Sequence, residues 1–338
     1  MAVWQLAPGG TGRDFSEVFF RFGVMLVGPG SDGDYRENAE IYNDGQYWDT
    51  YKYAYRIAEE VKLGDRIIVK KPLSRSWQIL GVGEVVGDYD WIEAFGDVDG
   101  WDLQHSRSVA WRVPEAPVAT TGLSRGTLIR AHQPEALDTA EKIWRTARPI
   151  KPSPSPKPSR ELSMEELIGS LVEQGVPVGR AETVTNTVWR IRRLASWYNS
   201  HGRHVSEHEI RTFLIAPLIT ALGWPEQRIK IEWNHIDMSL FDRPYTKDSK
   251  PLVIIESKGL WAGLSYAESQ AQDYAKSYPS CSTFIVSDGL RYKMFRRTKR
   301  QWRFTSYVNL VSPRLRHPYM EEVSGARDFF IAALPENT

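Results

Sequence analysis

At 338 residues the chain is long enough for two domains, and with 41% hydrophobic residues each of them can bury a core. The formal net charge of +1 excludes a globally basic nucleic-acid-binding protein, so any basic surface must be local. The single cysteine, Cys281, excludes a disulfide framework and suits a reducing cytoplasm, which is the location we expect.

The start of the chain carries no recognisable targeting signal. Residues 1–6 lack the charged segment and the long apolar core of a signal peptide. No apolar run in the sequence approaches the roughly 20 residues that a membrane span needs, so we expect no membrane partner.

Short strands dominate the predicted structure of residues 1–147. Four strands are indicated by apolar runs, at 22–27, 66–70, 78–86 and 108–113. One helix is predicted over 51–62 by apolar residues at helical spacing, Ala54, Ile57, Ala58 and Val61. Short strands with interior glycines and a single helix favour a small, strongly bent β-barrel.

Six tryptophans fall in the first third of the chain: Trp4, Trp48, Trp77, Trp91, Trp101 and Trp111. Core packing is the ordinary role of a tryptophan and explains some of them, but a barrel this small should not bury all six. Those within 87–91 and 100–102 stand beside glycines or polar loop residues. Aromatic faces that line a concave site could stack on an unstacked base.

Three segments of this region, 63–69, 81–89 and 105–111, resemble PUA-like domains, and in particular the EVE-like branch found in bacterial defence proteins. The resemblance covers about residues 1–130. Such domains hold a flipped, modified base in an aromatic pocket, so the resemblance implies a DNA partner that bears modified bases. The motif-matched residues are partly structural in these folds: Asp88, Tyr89, His105 and Arg107.

The pocket candidates are aromatic residues of this region, Trp4, Trp77, Tyr89 and Trp91. Asp34 and Tyr35 follow the glycine-rich segment 28–33 and could belong to a loop that covers the pocket. The alternative is that this loop only turns the chain.

A proline-rich segment divides the chain. Prolines at alternating positions disfavour helix and sheet and predict an extended linker over 148–160. Helices over 161–174 and 180–199 predict a helical connector, 161–205. A mixed α/β domain is predicted over 206–338, with helices and strands at 206–222, 229–233, 236–240, 252–256, 265–277, 283–287 and 290–295.

Three charged residues around a buried strand carry the clearest chemical signal. The apolar run 252–255 leads directly into Glu256, and Lys258 follows two positions later. Residues i and i+2 of a strand point to the same face, so Glu256 and Lys258 should lie side by side. Asp237, on the preceding strand, adds a second carboxylate. Two carboxylates and an ammonium on one edge can bind a divalent cation and steady a charged phosphate.

Two further positions have ordinary structural alternatives. Ser206 and Glu209 fit a capping box, whereas Glu207 lies on the edge of the buried helix face. Glu207 there either complements the helix dipole or points at the metal site. Gln270 and Tyr274 share one helix face, four positions apart.

These segments, taken together and in order, resemble the PD-(D/E)xK nuclease superfamily, and most closely the N-terminal nuclease domains of type I restriction subunits. The matching residues span about 200–310 and comprise Glu207, 211–224, 236–240, 254–258, 270–275 and 284–289. The polar stretch 242–250 departs from the family, which often has a shorter turn at that point.

The resemblance implies roles for individual residues. Asp237 and Glu256 would ligate Mg²⁺, with Mn²⁺ as a substitute, and Lys258 would orient or activate the attacking water. Glu207 would complete the acidic cluster, and Gln270 would support the site.

A basic segment, 291–303, holds seven basic residues, three aromatic residues and no acidic one. Its middle, 296–300, is expected to be the tip of a hairpin, and Arg190, Arg192 and Arg193 could extend the same surface. A run of charge is often only a solvated face, but beside a nuclease site phosphate contact is favoured. The residues expected to contact the DNA backbone are Arg291, Lys293, Arg296, Arg297, Lys299 and Arg300.

The two halves together predict a modification-dependent, type IV-like restriction endonuclease of mixed α/β fold. The barrel would bind a modified base, for which a modified cytosine is expected, and the nuclease would hydrolyse phosphodiester bonds nearby. Double-strand cutting needs two active sites, so a homodimer is expected on DNA. The alternatives are an RNA-directed nuclease and an inactive nucleic-acid-binding scaffold.

Overall fold

The computed structural model describes residues 1–10, 13–202, 205–299 and 301–338. It divides into two compact units, Met1–Pro158 and Ser159–Thr338. The fold is mixed α/β, with one curled sheet in the first unit and a second sheet with helices in the other. Within the described ranges, no helix is long and apolar enough to cross a bilayer.

The first unit is built on the curled sheet. Its strands are β1 (Val3–Leu6), β2 (Val24–Val27), β3 (Arg66–Pro72), β4 (Trp77–Trp91), β5 (His105–Val113), β6 (Val118–Thr120), β7 (Leu128–Arg130) and β8 (Arg148–Pro149). Its helices are α1 (Ser16–Phe22), α2 (Ala39–Tyr42), α3 (Trp48–Tyr55) and α4 (Pro134–Thr146). A π-helical turn, Arg56–Glu60, continues α3, and the two overlap the helix predicted over 51–62.

The strand order of this sheet is β2-β5-β4-β3-β1-β7, with β6 beside β4 and β8 beside β5. The register between β4 and β5 shifts between Val85 and Tyr89, and such irregularities bend a strand and increase its twist. Gly83 on β4 permits close packing, because a Cβ there would come within 2.3 Å of Val109. The sheet therefore curls into a half-barrel.

Helices α1 and α4 are absent from the sequence-based prediction. The strand predicted from residue 22 begins two residues later, because α1 ends at Phe22 and Gly23 closes it in the left-handed conformation, with φ 63°. Helix α4 begins with Pro134, which is a regular helix-start signal. Its buried face carries small and apolar residues at helical spacing, Ala136, Ala140 and Ile143.

The proline-rich segment is not a free spacer along its whole length. Arg148 and Pro149 form β8 beside β5, on the edge of the sheet. A proline is tolerated on an edge strand, because the side that lacks an amide hydrogen can face away from the neighbouring strand. The Ile150 amide donates to the Trp111 carbonyl (3.0 Å), and the Ser153 amide donates to the Arg21 carbonyl (2.7 Å). The first half of the predicted linker therefore packs on the first unit.

The second unit holds a six-stranded sheet of order β14-β13-β12-β11-β10-β9. Its strands are β9 (Ile229–Trp233), β10 (Ile236–Phe241), β11 (Pro251–Ser257), β12 (Thr283–Ser287), β13 (Arg291–Thr298) and β14 (Gln301–Asn309). Its helices are α5 (Met164–Glu173), α6 (Val178–Ser200), α7 (Glu207–Ile210), α8 (Ala216–Ala221), α9 (Ser265–Lys276) and α10 (Ala326–Ala332). Only β11 and β12 pair in parallel among these described strands.

The central strand β11 is buried on both faces. Val253 and Ile255 join a core with α5, α6, α8 and α10, whereas Ile254 joins a second core with α9. The helices predicted as a connector, α5 and α6, therefore share one core with the sheet. Side chains alternate along a strand, so Glu256 points to the α9 face, like Ile254.

Helices α7 and α8 are joined by a π-helical turn, Arg211–Ile215. Pro217 has no amide hydrogen to donate to the Phe213 carbonyl, and the Arg190 guanidinium donates to that carbonyl instead (3.2 Å). π-Helical turns inside α-helices are frequent at functional sites. This one places Arg211 beside the end of the central strand.

Candidate functional site

Glu256, Lys258 and Gln270 meet at the carboxyl end of β11. The Lys258 ammonium donates to Glu256 Oε1 (3.0 Å) and to Gln270 Oε1 (3.4 Å). Gln270 lies on α9, and its amide donates to the Tyr274 hydroxyl one turn further on (3.3 Å). The side-by-side placement of Glu256 and Lys258 follows from the strand alternation, and α9 adds the polar residues above them.

Asp237 approaches from the neighbouring strand. The antiparallel register pairs Met238 with Ile255, so Asp237 comes beside Glu256 one step further along. Asp237 Oδ2 accepts hydrogen bonds from the Ser257 amide and from the Ser257 hydroxyl, both at 2.7 Å. These bonds fix the orientation of its carboxylate.

Within this cluster, the Glu256 carboxyl group is buried and its pKa is raised. Its side chain is 2% exposed, and its Oε2 atom is buried without a hydrogen-bond partner. Desolvation raises the pKa of Glu256 to about 7, and the negative charges of Asp237 and Glu207 add to the increase, while Lys258 opposes it. A buried carboxylate oxygen without a hydrogen-bond donor can serve as a ligand to a cation.

The donor set suits a hard divalent cation. Mg²⁺ keeps several waters and is usually bound through one or two carboxylates, which Asp237 and Glu256 provide. Over the described ranges, no group of three or more His, Cys, Asp or Glu side chains is placed to hold a metal ion. The two carboxylates of Asp237 and Glu256 fit a cation that keeps several of its waters.

Arg211 is a member of this site to which the sequence assigned no role. Its guanidinium donates to Asp237 Oδ1 (2.8 Å), to the Ser257 hydroxyl (3.1 Å) and to Glu232 Oε1 (2.6 Å). It is buried, and the ion pair lowers the pKa of Glu232. A charged residue on the apolar face of a predicted helix was the signal that could have revealed it.

Removal of the Arg211 guanidinium should destabilise the fold. Arg211→Ala leaves the partly buried Asp237 carboxylate without its counterion, so we expect a loss of about 2–4 kcal/mol in the free energy of unfolding. The measurement is urea denaturation followed by circular dichroism. Arg243→Ala is the matched control, because Arg243 is exposed and pairs with the neighbouring Asp242, and it should change stability by less than about 0.5 kcal/mol. Equal losses in both variants would contradict this role.

Glu207 lies at the start of α7. Ser206 and Glu209 form the predicted capping box, with the Glu209 amide donating to the Ser206 hydroxyl (3.2 Å) and the Ser206 amide to Glu209 (3.1 Å). Glu207 itself is exposed, but its charge raises the pKa of Glu256. It therefore stands near the cluster without a direct bond to it.

The predicted DNA-contacting segment is mostly engaged within the protein. Arg291 is 0% exposed and forms an ion pair with Asp288 (2.7 Å), which closes the β12–β13 turn, so the prediction that it contacts DNA is wrong. Lys293 pairs with Glu268 (2.8 Å), and Arg296 donates to the carbonyls of Ala332 and Asn337.

The hairpin tip is shorter than predicted, because β13 extends to Thr298 and takes in Arg296 and Arg297. Arg297 and Lys299 are exposed, and Arg297 donates to the Pro279 carbonyl (3.2 Å). Arg300 lies outside the described residues.

In the first unit, each of the predicted base-pocket tryptophans contacts other residues of the protein. Trp4 is 1% exposed, and its indole N–H donates to Asp65 Oδ2 (3.0 Å), so no ring face is open to a ligand. Trp77 is half-buried, with the Lys70 ammonium 5.0 Å from its ring. The indole N–H of Trp91 donates to the Gly30 carbonyl (3.0 Å).

Tyr35, Tyr89 and Asp34 are likewise engaged. The Tyr35 amide donates to the Tyr89 hydroxyl (3.0 Å), which also shares a hydrogen bond with His105 Nδ1 (2.8 Å). Desolvation raises the pKa of Tyr89. The Asp34 carboxylate accepts the Arg36 amide (2.8 Å). The two tyrosines belong to a buried aromatic cluster, and the loop is held against it.

A cavity of about 400 Å³ lies elsewhere in this unit. Its wall is mostly apolar and aromatic, with polar side chains at Thr50, Asp102 and Thr127. The aromatic residues are Phe15, Phe19, Tyr53 and Trp101. The Trp101 ring meets Phe15 edge-on, with the ring centroids 5.7 Å apart, and the Arg13 guanidinium lies 4.9 Å over it. From the sequence, Trp101 was recognised only as a loop tryptophan next to a glycine, and it was not among the predicted pocket residues.

Comparison with known proteins gives limited information. Residues 4–130 match the family model described as Domain of unknown function (DUF8426). This range lies within the first unit and covers less than half of the chain. A search of curated proteins found no match. The first unit is thus similar to a family whose description names no activity.

Proposed function

We propose that this chain is a metal-dependent endonuclease that acts on DNA bearing modified bases. The observation that carries the proposal is the cluster at the end of β11, where the partnerless Glu256 Oε2 stands beside Asp237 and Lys258. The mixed sheet with helices on both faces agrees with the resemblance of the second unit to PD-(D/E)xK nucleases. The curled half-barrel sheet agrees with the resemblance of the first unit to PUA-like and EVE-like domains.

The contacts suggest a role for each residue of the cluster. Asp237 and Glu256 would hold the cation through carboxylate oxygens. A bound Mg²⁺ would supply an acidified water and neutralise charge on the phosphate. Lys258 would donate hydrogen bonds to the charge that develops on the phosphate. Gln270 accepts a hydrogen bond from Lys258 (3.4 Å) and so would orient its ammonium.

The cavity of the first unit supports a base-binding role better than the residues predicted from the sequence. Its volume of about 400 Å³ is in the range of small-ligand sites. Trp101 lines the cavity and would stack on the base through the ring face that does not hold the Arg13 guanidinium, and the Asp102 carboxylate could accept the exocyclic amine of a cytosine. The apolar wall suits a methyl substituent on that base. A cytosine with a small apolar substituent is therefore the base we propose.

The covalent linkage of the two units would favour cleavage near a modified base. A base-binding unit raises the effective concentration of the nuclease unit near a marked site, so weak intrinsic DNA binding would be sufficient. Cutting both strands requires two such centres, and we propose that two copies act together on DNA.

The experiment is digestion of DNA duplexes of one sequence that carry cytosine, 5-methylcytosine, 5-hydroxymethylcytosine or N6-methyladenine, with structured RNA as a further substrate. We expect Mg²⁺-dependent cleavage of the modified-cytosine duplexes, most efficient with 5-methylcytosine because its substituent is apolar, and no cleavage in EDTA. Cleavage of RNA alone, or equal cleavage of every duplex, would overturn the assignment of the substrate.

Removal of the Trp101 ring should weaken binding of the modified base. Stacking on an aromatic ring contributes about 1–3 kcal/mol per base, so Trp101→Ala should raise the Kd for modified duplex about 5- to 100-fold. Binding is measured by fluorescence anisotropy in EDTA. Trp48→Ala is the matched control, because Trp48 is an exposed tryptophan of the same unit outside the cavity wall, and it should bind as the wild type does. Equal weakening of modified and unmodified duplex by Trp101→Ala would count against a base-reading cavity.

A further inference from the structure

Two adjoining cavities in the second unit form what we call the α6 groove. They measure about 470 and 390 Å³, and both are lined by Asn199 and Trp261. The carboxyl-terminal half of α6 forms one side of the groove, and the segment 259–261 forms the other. None of the predicted DNA-contacting residues of 291–300 lines either cavity among the residues that the structure describes.

One wall of the groove, the segment 259–261, follows the candidate catalytic lysine directly in the chain. Consecutive Cα atoms lie about 3.8 Å apart, so Trp261 stands within about 11 Å of Lys258. Successive nucleotides of a stacked strand are about 3.4 Å apart. The Cα atoms of Lys258 and Trp261 are therefore no further apart than about three stacked nucleotides.

The groove combines charge with an aromatic surface. Arg192 and Arg193 line it with Ser196, while Leu290 and Val311 supply apolar surface. The Trp261 side chain is 38% exposed, although its backbone has φ 64°, a conformation that is unusual for a bulky residue. The Trp261 amide donates to the buried Asp288 carboxylate (3.2 Å), which holds the backbone in place.

We propose that the α6 groove binds a single nucleic-acid strand, the one that carries the scissile phosphate. One base stacks on Trp261, and the flanking phosphates pair with Arg192 and Arg193. This inference rests on the proposed nuclease function. Guanidinium groups beside an aromatic ring on apolar surface are the combination with which proteins hold single strands, because every base has a stacking face. In an intact duplex the bases are already stacked on each other, so the strand in this groove is locally unpaired.

The test is binding of a fluorescein-labelled oligothymidylate to the full chain in EDTA, where no cleavage occurs. Trp261→Ala should raise the Kd about 5- to 100-fold, and Trp261→Phe should restore most of the affinity. The double variant Arg192→Ala/Arg193→Ala should flatten the slope of log K against log salt concentration by about 1.4, because each phosphate that an arginine neutralises adds roughly 0.7 to that slope.

Matched controls lie outside the groove on the same unit. Trp197→Ala removes an exposed tryptophan of α6 that stacks on His201, and Lys247→Ala/Lys250→Ala removes two exposed cations. Both controls should bind as the wild type does. Thermal melting identifies a variant that has lost its fold, and the affinity restored by Trp261→Phe separates stacking from folding.

The outcomes separate this inference from the nuclease assignment. Trp261-dependent binding of the oligonucleotide supports the groove even where no substrate is cleaved, in which case the nuclease function fails alone. If neither Trp261→Ala nor the double arginine variant affects binding, the proposed role of the α6 groove is overturned, whereas the proposed nuclease function is not. Equal affinity for duplex and single strand, insensitive to Trp261, also overturns it.

Discussion

Glu256→Gln should make the protein more stable and at the same time inactive. The carboxyl group has a pKa of about 7 in the folded chain against 4.5 for an ordinary glutamate, because burial and the Asp237 charge oppose its ionisation. The folded chain therefore binds a proton that the unfolded chain releases between pH 4.5 and 7, and its stability falls as the pH rises through this window. Glutamine does not ionise and avoids this loss.

The gain should be about 2 kcal/mol at pH 8, after a discount for solvent screening and for the lost ion pair with Lys258. Below about pH 4.5 the difference from the wild type should vanish, because glutamate is then protonated in both states. Urea denaturation at the two pH values measures it. Glu268→Gln is the control, since Glu268 is more exposed and is paired with Lys293, and it should not become more stable.

The same variant should lose the cation. Mg²⁺ or Mn²⁺ should raise the melting temperature of the wild type and leave that of Glu256→Gln unchanged, because a neutral amide is a poor substitute for the buried carboxylate. Cation binding by the wild type should also weaken below about pH 7, where a proton competes for the same oxygen atoms. This account of Glu256 would be refuted if Glu256→Gln were less stable than the wild type at pH 8 and bound the cation with wild-type affinity.

Lys258→Ala should abolish most of the cleavage and leave DNA binding nearly intact. Its ammonium is placed to donate to charge that develops only in the transition state, and the loss of one such donor lowers kcat about 100- to 1,000-fold. Anisotropy in EDTA should show a Kd within about threefold of the wild-type value, because one phosphate contact contributes little to the affinity. Lys276→Ala, on the exposed face of α9 and paired with Asp273, should cleave normally.

The pH dependence gives this variant a second readout. The hydrogen bond from Lys258 lowers the pKa of Glu256 against the effect of burial, so its loss should raise that pKa above about 7. The residual cleavage of Lys258→Ala should therefore need a higher pH than wild-type cleavage. A normal kcat, or an unchanged pH profile with a much weaker Kd, would indicate that Lys258 only binds DNA.

The sequence predicted the second unit in more detail than the first. Strand alternation and an apolar run are local signals, and they placed Glu256 and Lys258 side by side. The capping box of Ser206 and Glu209 was also predicted correctly from a local sequence pattern. Arg211 was not, because its partners Asp237 and Glu232 come from two strands whose pairing is a tertiary property. The same reason explains why the burial of Arg291 was not predicted. Its place in a run of basic residues suggested exposure to solvent, but its guanidinium is buried and closes a turn by pairing with Asp288.

The aromatic residues of the first unit show a different limit. Composition indicated that not all six tryptophans would be buried, but not which ones would be exposed, because burial depends on how the sheet curls. Trp4 lies on β1, between β3 and β7, and is buried, whereas Trp101 follows Gly100 in a loop and lines the cavity. Helix α1, which supplies Phe15 beside its start and Phe19 within it, was not predicted, so its contribution to the cavity was missed as well.

The most direct test of the central claim is crystallography with Mn²⁺, read from the anomalous signal of the metal. The account predicts one peak about 2–2.5 Å from a carboxylate oxygen of both Asp237 and Glu256, reduced when Mg²⁺ competes and absent from Glu256→Gln crystals. Crystals at saturating Mn²⁺ without a peak there, in which Asp237 remains paired only with Arg211 and Ser257, would contradict it.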